Sequence, residues 1–62
     1  MLPSINQAVY VLDKNNKKRL GTVINIFAEY GKFTILIHER RGYEHIAKFK
    51  ESDINKTVFL KK

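Results

Sequence analysis

Four basic side chains, Lys14, Lys17, Lys18 and Arg19, fall within the eight-residue stretch KNNKKRLG, and two more, Arg40 and Arg41, fall within ERRG, directly before Tyr43. Ammonium groups act as compact point charges, while guanidinium groups present a planar fork that matches phosphate oxygens. A tyrosine beside such a pair offers a face on which an unstacked base can lie, a combination used by proteins that bind single strands or RNA. Tyr10 and Tyr30 are further candidates for that role. The alternative for each tyrosine is a half-buried ring with its hydroxyl at the rim. For the basic residues the alternative is a solvated surface that discourages aggregation. In an up-and-down meander, alternate connections lie at the same end, so the two basic stretches are expected to meet and to attract polyanions in a salt-dependent way.

His38, Glu39 and His45 flank the second basic stretch and are the only other residues that suggest a metal or acid–base cluster. Two histidines with no cysteine and no third evident ligand support neither a closed nor a catalytic zinc site, so a pair of surface histidines on a hairpin is the expected outcome. No nucleophile motif, phosphate-cradling glycine loop or pair of carboxylates in contrasting environments is present in the sequence. Neither an enzyme nor a cofactor is expected.

Composition narrows the partner. With twelve basic residues against six acidic ones, the formal net charge is +6, which favours nucleic acid first, an acidic protein surface second and anionic lipid third. The same charge argues against a nucleic-acid mimic. The chain has 62 residues and no cysteine, which bounds it to one small domain (1–62) held by packing and not by disulfides. Its opening, MLPSINQ, lacks the basic start and apolar core of a signal peptide, and no apolar run approaches the length of a membrane span. The expectation is therefore a cytoplasmic, soluble protein with no membrane association, a monomer or weak homodimer. Asn55-Lys56-Thr57 matches a glycosylation sequon that carries no consequence in that setting.

The elements that must position these residues read as strands. QAVYVLD (7–13) is β-branched and aromatic and ends on an Asp followed by Lys-Asn-Asn, which suits a turn. LGTVINIFAEYG (20–31) is too β-branched for a preferred helix and is bracketed by glycines. KFTILIHE (32–39) alternates with period two and should form a hairpin with the preceding strand through Glu29-Tyr30-Gly31-Lys32. After ERRG, whose glycine accepts a positive φ, comes YEHIAKF (43–49). KESDINK (50–56) carries Ser52 and Asp53 to shape a single 3-10 turn, with Ile54 as its apolar anchor, before a last strand, TVFL (57–60). Five short strands joined by short turns leave no room for crossover helices, so the sheet must be antiparallel. Curling into a small, strongly bent barrel would bury one face and nearly remove the edges.

The order of VYVLD, then Gly21-Thr22-Val23 with Ile26 following, then FTILI, then AKFKESDI resembles the SH3-like small barrels, particularly KOW-type modules, over residues 7–60. In those modules a Gly-x-Val opens the second strand, and a phenylalanine, a polar pair and an Asp-aliphatic element form the helical turn before the last. The resemblance implies a five-stranded antiparallel SH3-like barrel in which Phe49 and Ile54 anchor the closing turn. Val9, Val11, Val23, Ile26, Phe33, Ile35 and Ile37 would fill its interior. Such barrels bind peptides, nucleic acid or other proteins, and the fold does not choose among them. Peptide-binding SH3 domains carry an acidic first loop and an aromatic groove, whereas this chain has a basic first loop and no tryptophan, so proline-rich peptide recognition is not expected.

One apolar pair falls on the opposite parity of the sheet. Leu36 and Ile46 are either packed beneath the first loop or the terminal MLPSI segment, or exposed side by side as a patch for a protein partner or for self-association. The sequence thus supports a non-enzymatic binding module that contacts nucleic-acid phosphates through Lys14, Lys17, Lys18, Arg19, Arg40, Arg41 and Tyr43. A protein–protein interaction module, an accessory or inhibitory protein docking a larger partner, is the rival reading.

Overall fold

The computed structural model describes residues 2–40 and 42–61. Five strands are present: β1 (Ala8–Leu12), β2 (Lys18–Phe27), β3 (Lys32–Arg40), β4 (Tyr43–Lys50) and β5 (Val58–Leu60). They form one antiparallel sheet in the order β4-β3-β2-β1-β5. The all-β antiparallel architecture expected from the strand spacing is therefore present. Closure is not: β4 and β5 stand at opposite edges, and no pairing joins them among the described residues.

The second strand departs from its sequence-based bounds. It starts at Lys18, so part of the basic stretch is strand and not turn, and it ends at Phe27. Ala28–Tyr30 then form a 3-10 turn closed by Gly31, which sits in the left-handed region at φ 62°. Two 3-10 turns are thus present where one was expected. The other, Glu51–Asp53, matches the reading of KESDINK, with the Lys50 N–H donating to Asp53 Oδ2 at 3.0 Å. Gly42 takes φ 79° in the β3–β4 turn, as its position required.

Val9, Val23, Phe33, Ile35 and Val58 are completely buried, although among the described residues no helix longer than one turn covers the sheet. A single flat layer cannot do this, so the sheet must coil over its own inner face. Two local features permit the bend. The β2–β3 register shifts between Val23 and Asn25, as a β-bulge does, and bulges sharpen twist and bend the strand that carries them. Gly21 provides the other: a Cβ there would lie 2.6 Å from Ile35 Cγ2 and 3.2 Å from the Leu36 carbonyl oxygen. Its φ is not positive, so hydrogen at this position serves close packing of β2 against β3 and not an unusual backbone conformation.

Six of the seven residues that the resemblance placed inside are buried, and Ile26, Phe49 and Ile54 pack against them half-buried. Val58 completes the core from β5 and was not anticipated. Leu2 also packs against this cluster, and Pro3 is buried beside it. The amino-terminal segment is tied down by the Asn6 N–H donating to the Val23 carbonyl at 2.7 Å and the Val23 N–H to the Gln7 carbonyl at 3.0 Å. Among the described residues no helix is long and apolar enough to cross a membrane.

Candidate functional site

Strand register determines where the basic residues meet. Leu12 pairs with Lys18 across the first turn, Leu20 pairs with His38, and Arg40 pairs with Tyr43 across the third connection. The β1–β2 and β3–β4 turns therefore occupy the same end of the sheet.

The first turn is built on Asp13. Its Oδ1 accepts the backbone N–H groups of Asn15 (2.8 Å) and Lys17 (2.9 Å), and its carbonyl accepts the Asn16 N–H at 2.9 Å. Asn16 supplies the positive φ of 61° that closes the loop, a conformation asparagine tolerates better than most residues. The hydrogen bond from Lys17 is the main cause that holds the Asp13 carboxyl below its ordinary value, with further lowering from the Asn15 N–H and from Arg19. The scaffold leaves Lys14 and Lys17 exposed. The sequence places Asp13 at the end of the first strand and outside the site, whereas it lies past β1 and closes the turn, a role whose signal is the Asp-Lys-Asn-Asn order.

Arg19 differs from its neighbours. Its Nε donates to Asp13 Oδ2 at 3.0 Å and its Nη1 to the Glu39 carbonyl at 3.3 Å, so one guanidinium links the first turn to the end of β3. It holds the two turns together. Lys18, one residue earlier, points to the opposite face, where its Nζ lies 5.8 Å from the Tyr10 ring centroid and 6.0 Å from that of Phe59. Lys61 Nζ approaches Tyr10 as well, at 5.7 Å. Alternation within a strand thus splits the expected basic cluster between two faces. Arg40 ends β3 opposite Tyr43, and Arg41 lies outside the described residues. Tyr43 is 67% exposed, Tyr10 is half-buried, and Tyr30 sits at the other end of the sheet in the β2–β3 turn.

On the inner face at the basic end, the uncovered part of the coil forms an open cleft of about 590 Å³. Val11, Ile37, Ala47 and Phe49 contribute apolar lining, and Lys14 and Tyr43 line it also. Phe49 stacks on Phe33 with centroids 6.2 Å apart, which anchors the cleft to the core.

The histidines separate. His38 Nδ1 lies 2.6 Å from Glu44 Oε2 on the outer face, and His45 Nδ1 lies 3.0 Å from Glu39 Oε2 on the inner face. Adjacent positions on paired strands thus give two histidine–carboxylate pairs that cannot share one ion. Among the described residues no group of three potential ligands gathers. Leu36 and Ile46 pair directly across β3 and β4 on the outer face, Leu36 half-buried and Ile46 62% exposed. Ile46 is not shielded by the terminal segment, whose Leu2 packs against the core and whose Ile5 is exposed.

The chain matches no family model, no curated protein and no solved structure.

Proposed function

We propose that this protein is a non-enzymatic nucleic-acid-binding module on an SH3-like barrel, contacting phosphates through the end of the sheet where its two basic turns meet. The shared end of those turns, which follows from the strand register, is the observation that carries the reading. The strand order β4-β3-β2-β1-β5, the coiling of the sheet and the 3-10 turn before the last strand support the barrel. Lys14 and Lys17, exposed on the first turn, and Arg40 and Arg41, which precede Gly42 and Tyr43 in the sequence, supply the charge, and Tyr43 offers an exposed stacking face at the same end. Contacts of this kind position a nucleic acid without reading its sequence, so little specificity is expected.

Gel retardation of mixed-sequence RNA and DNA tests the proposal. Binding should weaken steeply as salt rises, and absence of binding at about 50 mM salt would eliminate it. Arg40→Ala combined with Arg41→Ala should flatten the salt dependence while leaving the melting temperature in place.

A second reading, docking onto a protein partner, is favoured by exposed Ile46 beside half-buried Leu36. Ile46→Asp should then abolish partner capture without touching nucleic-acid binding.

A further inference from the structure

The β4 strand carries an unusual edge. Among the described residues it pairs only with β3, and Tyr43, Glu44, His45 and Ile46 are all exposed. An edge of this kind is a template for another strand. We infer that its occupant is a second copy of this chain, joined β4 to β4 in antiparallel fashion about a two-fold axis at Ile46.

The argument rests on self-complementarity. A two-fold axis perpendicular to the sheet requires that paired residues share a face, so a residue of odd number must meet one of odd number. With the axis at Ile46, Glu44 lies opposite Lys48 of the second copy, and Lys48 opposite its Glu44. Ile46 meets itself on the same outer face, extending the Leu36–Ile46 pair into an apolar strip of four side chains. On the inner face Tyr43 lies opposite Phe49 of the second copy, so each chain brings an exposed aromatic ring to the rim of the other's cleft. The neighbouring allowed registers lack this match. Moving the axis to Ala47 keeps an opposite-charge pair, Glu44 against Lys50, but sets Ile46 against Lys48 and breaks the apolar strip, and moving it to His45 sets Glu44 against Ile46. Opposite charges and apolar pairs directly across a ladder are the units that stabilise sheets. This inference is independent of nucleic-acid binding and stands if that reading fails.

Sedimentation equilibrium over a wide concentration range tests it. The wild type should move from 7.3 kDa toward twice that mass as concentration rises. Glu44→Lys and Lys48→Glu each turn two attractive pairs into repulsive ones and should weaken association about tenfold. The double exchange, E44K with K48E, recreates both pairs with reversed polarity and should restore it. Ile46→Asp, which places two carboxylates at the axis, should leave a monomer, and circular dichroism checks that each variant remains folded. A wild type that stays at 7.3 kDa throughout would overturn the inference and assign the edge to another partner or to protection by its lysines. Single reversals without effect, or a double exchange that fails to recover, would overturn it equally.

Discussion

Arg19 and Asp13 form an ion pair, Nε to Oδ2 at 3.0 Å, at the end of the sheet shared by the β1–β2 and β3–β4 turns. The carboxylate simultaneously closes the first turn, and the guanidinium also holds the Glu39 carbonyl. One acid thus removes a cation from the proposed phosphate-binding set and uses it as structure. The remaining lysines of that turn stay available to a partner.

A clean division between two kinds of variant follows. Lys14→Ala combined with Lys17→Ala should weaken nucleic-acid binding, reducing the slope of log affinity against log salt by about two where two phosphate contacts are lost, with no change in melting temperature. Arg19→Ala should lower the melting temperature, because it unlinks the turns. Thermal melts alongside salt-dependent titrations separate the two effects, and an unchanged slope in the lysine variant would make those lysines bystanders.

Acid should weaken the fold through Asp13. Its carboxyl titrates below the ordinary value in the folded state, chiefly because it accepts the Lys17 N–H. A group with a depressed folded value contributes stability that is fully present above its unfolded value, here 3.8, and is lost as pH falls through the folded one. The difference in urea midpoint between the wild type and Asp13→Asn should be constant above about pH 5 and shrink on further acidification. Parallel profiles through the acid range would contradict this.

Gly21→Ala should be destabilising by about 1–3 kcal/mol, since the added methyl group overpacks the contact with Ile35 and the Leu36 carbonyl. Chemical denaturation measures it. A Gly21→Ala protein as stable as the wild type would show that the strands can separate freely.

Phe33 is completely buried and stacked on Phe49, and its replacement by alanine should cost about 3–5 kcal/mol. A domain of this size has only about 3–5 kcal/mol from its core, so Phe33→Ala should be largely unfolded at room temperature. Dispersed amide resonances in that variant would refute the expectation.

Residue type and short-range pattern make the strands legible. β-branched runs, period-two alternation in FTILI and the Asp-Lys-Asn-Asn and Arg-Arg-Gly turns depend on local sterics and local hydrogen bonds, which adjacent residues specify among themselves. The core of Val9, Val11, Val23, Phe33, Ile35 and Ile37 is what the resemblance to SH3-like barrels implied, and only in β3 does alternation alone group its members on one face. Val58 was missed because a three-residue strand shows too little alternation to reveal which side faces inward.

Partnership between distant residues is a different matter. That Arg19 belongs to Asp13 and Lys18 to Tyr10 depends on which face each strand turns inward once β2 lies between β1 and β3, a consequence of register across the whole sheet. The same holds for the separation of His38 from His45 and for the unpaired edge of β4. Chain-local forces chose strands and turns; the long-range pairing that buried one face sorted the charges between the two sides and, among the described residues, left the outer edge of β4 open.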